Sequence, residues 1–103
     1  MRLADRRCGV CTASTPPATE DQVRAWTGEL HPDWKVVGAR LVRTWRFPDF
    51  AQALALADRV GGVAEAEGHH PEITIGWGFC RVEVWTHAIG GLSEADFVLA
   101  AKL

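Results

Sequence analysis

No stretch of the 103-residue chain approaches the roughly 20 apolar residues that a helix needs to cross a bilayer, and the first residues lack a hydrophobic segment of signal-peptide type. These absences lead us to expect a cytoplasmic protein with no membrane partner. An excess of basic charge is also missing: 11 Lys and Arg stand against 13 Asp and Glu, for a formal net charge of -2. Proteins that grip duplex phosphates usually show a basic surface, so no direct nucleic-acid partner is expected. The Arg2, Arg6 and Arg7 group reads as a solvated end. Cysteine is scarce and odd in number, with only Cys8, Cys11 and Cys80, so at least one thiol is unpaired within the chain and a disulfide-built scaffold is disfavoured. Cys8-Gly-Val-Cys11 has the spacing of half a zinc knuckle or of a redox pair. It lacks a second Cys-x-x-Cys and the strand-into-helix setting of a thioredoxin-like motif, so a structural or incidental role is preferred. Cys80, within a strand pattern, reads as a small buried hydrophobe.

What is present is the composition of an ordinary small domain, 48% apolar and 23% charged, long enough for one core and not two. Residues 1–18 read as a flexible cysteine-containing leader and residues 19–103 as a single domain, with Ser14 to Thr19, Ser-Thr-Pro-Pro-Ala-Thr, as the linker at their junction. Thr19 with Gln22 forms a capping-box pattern, and Val23, Trp26 and Leu30 recur at helical spacing, predicting a helix over 20–29. His31-Pro-Asp33 breaks it. Two strands follow, over 34–37 and 41–47, joined by a tight turn with Gly38 supplying the permissive backbone.

Pro48 or Asp49 then opens a long helix to about Glu67, with Phe50, Leu54, Ala57 and Val60 or Gly61 as its expected buried stripe. Gly61-Gly62 would weaken that helix by about 1 kcal/mol each relative to alanine, so close packing of another backbone is expected there. A second hairpin is predicted over 73–77 and 80–86. In it Cys80, Val82, Val84 and Thr86 share one face, and Arg81, Glu83, Trp85 and His87 the other. Ser93 to Asp96 starts the last helix. The order helix-strand-strand-helix-strand-strand-helix predicts an α+β fold: one four-stranded antiparallel sheet with helices packed on one face. Five tryptophans in so small a chain, some of them on candidate outer positions such as Trp77 and Trp85, point to burial between subunits.

The proton-handling side chains are concentrated. Glu65, His69 and His70 lie in Glu65-Ala-Glu-Gly-His69-His70-Pro71, and His87 closes Arg81-Val-Glu-Val-Trp-Thr-His87. Imidazoles give and take protons near neutrality without large tuning, which makes these residues candidates for one acid/base site. His69 and His70 can share it only if the chain turns, and Pro71 favours that by driving His70 out of helical geometry. His31 sits in a similar loop without companions and reads as a surface residue. Three imidazoles and Glu65 could also form a zinc set, but adjacent histidines do not supply the i,i+2 or i,i+4 convergence that metal ligands commonly use, so no metal is expected. Asp96, at the third position of a helix, reads first as a cap.

The spaced set Glu65, His69-His70-Pro71, Trp77, His87 and Asp96, with Gly90-Gly-Leu-Ser93 and the Trp45-Arg-Phe-Pro-Asp-Phe50 segment, resembles the signature of the pterin-4a-carbinolamine dehydratases. The resemblance runs from about residue 19 to the C-terminus. Gly68 departs from the acidic or amide residue that many members carry there, and Gly61-Gly62 is a second departure. The resemblance implies an α+β fold that assembles as a homodimer or homotetramer, and a lyase that removes water from 4a-hydroxytetrahydropterin to give quinonoid dihydropterin. The pterin is then the substrate, no cofactor is needed, and an aromatic amino-acid hydroxylase is an implied partner in tetrahydrobiopterin recycling. It further implies His69, His70 and His87 as catalytic residues, with His69 and His87 the acid/base pair in an order left open and His70 anchoring the pterin. Glu65, Asp96, Trp34 and Trp77 are implied in substrate binding or support; Trp34 resembles a pocket wall but also suits a core. A non-catalytic assembly or interaction module is the alternative, because oligomeric shells of this kind can be reused.

Overall fold

A computed structural model describes residues 2–103. Its regular elements, in order, are α1 (Glu20–Thr27), β1 (Lys35–Val37), β2 (Arg40–Arg46), α2 (Phe50–Glu67), β3 (Glu72–Gly76), β4 (Phe79–Val84) and α3 (Glu94–Lys102), with single 3-10 turns at Leu3–Asp5 and His87–Ile89. The four strands form one antiparallel sheet in the order β1-β2-β4-β3, giving the α+β class that the element order predicts.

Local chemistry accounts for the element ends. The Thr19 hydroxyl accepts from the Gln22 N–H at 3.2 Å and the Gln22 side chain accepts from the Thr19 N–H at 3.0 Å, closing the box that starts α1. At the head of α2, Asp49 Oδ1 accepts from the Gln52 N–H at 2.8 Å. Gly38 and Gly78 hold the two hairpin turns at φ +59° and +82°, a backbone region that side chains disfavour. The core lies between the sheet and α2 and α3: Leu41, Cys80, Val82 and Val84 from the strands meet Ala53, Leu56, Val60, Phe97, Val98 and Leu99, all buried. Trp26 of α1 packs at 5.4 Å on Phe97.

Two details of α2 differ from the sequence reading. The buried stripe is Ala53, Leu56, Val60 and Ala64, whereas Phe50 and Leu54 are exposed. The helix is apolar on more than one side, so periodicity admits either stripe, and packing selects the one that includes Val60. Gly61 and Gly62 also stand in open space, with nothing within 4 Å of an added Cβ, and α2 runs through them unbroken. Among the described residues, then, no backbone packs closely against them.

Residues 2–18 lie along the ends of α2 and α3. Leu3 is buried, the Lys102 ammonium donates to the Ala4 carbonyl at 2.9 Å, and Arg6 meets Glu94 at 2.9 Å. The Cys8 N–H donates to Glu67 Oε1 at 3.0 Å. That hydrogen bond, reinforced by Lys102 and Arg7, holds the Glu67 carboxyl below its ordinary range.

Candidate functional site

The end of α2 decides which histidine turns inward. Gly68 takes the left-handed conformation at φ +65° and its N–H closes the helix on the Ala64 and Glu65 carbonyls. Glycine is the residue that reaches this geometry without strain, which gives its departure from the resembled signature a backbone reason. The His69 N–H also returns to Ala64 O, at 3.2 Å. The turn buries the His69 side chain to 7% exposure and leaves His70 on the surface, ahead of Pro71 and β3.

Inside, His69 Nε2 lies 2.6 Å from Asp96 Oδ1. Asp96 is fully buried, and its other oxygen accepts from the Thr86 hydroxyl at 2.8 Å and from the Ser93 N–H at 2.8 Å. With its single proton committed to Asp96, Thr86 Oγ1 accepts from Ser93 Oγ–H at 2.6 Å. The three elements that meet here are the C-terminal end of α2, the segment after β4 and the first turn of α3. Asp96 therefore does more than cap α3: it holds the imidazole of His69. Because the carboxylate accepts from Nε2–H, Nδ1 is the ring atom left to exchange a proton. Cys11 Sγ of the leader lies 3.9 Å from it.

Outside, Glu65 Oε1 lies 3.4 Å from His70 Nε2, both groups well exposed. They share an open hollow of about 540 Å³ with Ala57, Gly61, Gly62, Pro71 and Ile73. His87, expected at the end of a strand, instead opens the 3-10 turn His87–Ile89. The pleat still applies, since Thr86 points into the core while Trp85 and His87 point outward. The His87 ring stacks on Trp85 at 4.3 Å between centroids, and the Arg40 guanidinium lies 3.9 Å from the centre of that indole.

The residues singled out by sequence thus divide into groups. His69 and Asp96 are in contact, Glu65 and His70 are in contact, and His87 is joined to the first group through the adjacent Thr86. Among the described residues, the contacts of His69 run to Asp96 and Cys11, those of His70 to Glu65 and those of His87 to Trp85, rather than to one another. Trp34 is buried in the core, edge-on to Trp45 at 5.9 Å, and Trp77 stands 76% exposed between β3 and β4. Neither lines the hollow beside Glu65 and His70, and His69 and His87 also lie outside its lining. Thr86, Ser93 and Cys11 join the site only through the folded structure. Thr86 has a legible signal, a hydroxyl on an otherwise apolar strand face; Cys11 has only its Cys-x-x-Cys spacing, which says nothing of His69 because nothing local fixes where a leader lies.

Residues 16–103 match the family model described as pterin 4 alpha carbinolamine dehydratase. Similar proteins occur in Chlorobium limicola, 48% identical with 97% of this chain and 91% of the relative covered, and in Methylococcus capsulatus, 46% identical with 98% and 90% covered. A third, in Alkaliphilus metalliredigens, is 41% identical with 98% and 92% covered. All three carry a provisional name as pterin-4-alpha-carbinolamine dehydratases. Among solved structures, a transcriptional coactivator/pterin dehydratase from Brucella melitensis superposes with a TM-score of 0.76 at 27% identity, covering 84% of this chain and 94% of that one.

Proposed function

Because the chain belongs to the pterin 4 alpha carbinolamine dehydratase family, we propose that it converts 4a-hydroxytetrahydropterin to quinonoid dihydropterin and water by histidine acid/base catalysis, in pterin cofactor recycling. The observation that carries this reading is the His69–Asp96 pair: a buried carboxylate fixes the tautomer of an imidazole and stabilises the cation formed when that imidazole takes a proton.

Dehydration requires one group to take the N5 proton and another to protonate the departing 4a-hydroxyl. His69, backed by Asp96, suits the first task. His87 is exposed on the far side of Thr86, where solvent can resupply its proton, and suits the second. His70 and Glu65 offer a donor and an acceptor to the amide edge of the pterin in the hollow beside Gly61 and Gly62. No metal, electron sink or covalent intermediate enters these steps. The test pairs a dehydration assay with a pull-down from native extract. Acceleration over solvent supports the enzyme; no acceleration together with one stoichiometric protein partner replaces it with the interaction-module reading.

Self-association as a homodimer or homotetramer is part of the same proposal. Phe50 and Leu54 stand one turn apart on the outer side of α2, and an unpaired apolar stripe of this kind is normally covered by a partner. Sedimentation at micromolar concentration should give a species at least twice the 11.3 kDa chain mass; a clean monomer removes the assembly.

A further inference from the structure

Cys11, His69 and Asp96 form a line of thiol, imidazole and carboxylate. Cys11 Sγ faces His69 Nδ1 at 3.9 Å, and Nε2 of the same ring is held by Asp96 Oδ1 at 2.6 Å. An imidazole that faces a thiol with one nitrogen while a carboxylate orients the other is the arrangement that activates the thiol as a nucleophile. Cys11 is half-buried rather than enclosed, and the hollow of about 210 Å³ beside it is lined by Arg7, Cys8, Val10, Thr15, Pro16 and the first residues of α3. The other two thiols have different partners. Cys8 Sγ donates to the Ala95 carbonyl at 3.5 Å, and burial, together with the Glu67 carboxylate, pushes its pKa up to about 12. Cys80 is buried in the sheet, and burial raises its pKa as well.

We propose that Cys11 is a reactive thiol, its proton taken by His69, and that it exchanges with low-molecular-weight disulfides. The Cys11 sulfur attacks one sulfur of the small disulfide, forming a mixed disulfide. The other half leaves as a thiolate and receives the proton that His69 accepted, so the imidazole returns to its neutral form. Cys8, held protonated against Ala95 and Glu67, does not displace the adduct. The thiol step uses the same His69 Nδ1 that the dehydratase reading assigns to the N5 proton, and its test reads thiol chemistry without pterin turnover.

The test measures iodoacetamide alkylation of each cysteine at pH 7 by mass spectrometry, in the folded protein and in urea. Cleavage after Arg7 and Arg24 releases Cys8 and Cys11 on one peptide, whose fragmentation separates them. Cys11 should react about tenfold or more faster in the folded chain than in the unfolded one, the scale of gain that a neighbouring base gives a thiol, while Cys8 and Cys80 react more slowly when folded. Oxidised glutathione should add to Cys11 alone, and His69→Asn should remove the folded-state acceleration. If His69→Asn does not fold, the folded-to-unfolded ratio of the wild type still decides. A Cys11 rate at or below its value in urea, or first modification at Cys8 or Cys80, overturns the proposal.

Discussion

Replacing His69 or His87 by alanine is expected to slow carbinolamine dehydration about 10²-fold or more, the usual scale of positioned acid/base help. The two variants should differ in kind. His69 is buried against Asp96, so His69→Ala removes both a proton-exchanging atom and an interior hydrogen bond, and it should lower stability as well as rate. His87 is exposed and stacks on Trp85, so His87→Ala should leave the melting temperature nearly unchanged while losing activity. Rates from chemically generated carbinolamine, with circular dichroism to verify folding, separate these effects. Unchanged rates in both folded variants would remove them as the acid/base pair.

The largest stability effect is expected at Asp96. Its carboxylate meets His69 Nε2, the Thr86 hydroxyl and the Ser93 N–H inside the core. Asp96→Ala strands those groups without water to replace the lost acceptor, at a cost of about 3 kcal/mol or more. For a domain of this size that corresponds to a fall in melting temperature on the order of 12 °C or more. Urea unfolding followed by tryptophan fluorescence provides the comparison. A loss below about 1 kcal/mol would show that the cluster is not the structural joint between α2, β4 and α3 described above.

These contrasts also show what the sequence made legible. The cap at Thr19 and the start of α3 could be read because the signal lies within four residues and the chemistry is local. Strand faces were likewise readable: the inward set Cys80, Val82, Val84 and Thr86 follows from alternation alone. The buried side of α2 was not, because alanine, leucine and phenylalanine surround the helix and only the position of the sheet chooses between stripes. The choice between His69 and His70 depends on the left-handed turn at Gly68, a backbone state that glycine permits without requiring. Asp96 was legible as a cap, but its hold on His69 spans 27 residues of chain and exists only once α2 and α3 are docked. The leader carries no periodicity, so its approach to His69 through Cys11 lay beyond any local pattern.

The most direct test of the dehydratase reading is a stopped-flow measurement of quinonoid dihydropterin formation from freshly generated carbinolamine, with the wild-type protein varied in concentration. The reading predicts an initial rate that rises in proportion to protein above the solvent reaction, and that returns to within a few per cent of the solvent rate for the doubly substituted His69→Ala, His87→Ala protein. A rate independent of wild-type protein concentration would contradict it.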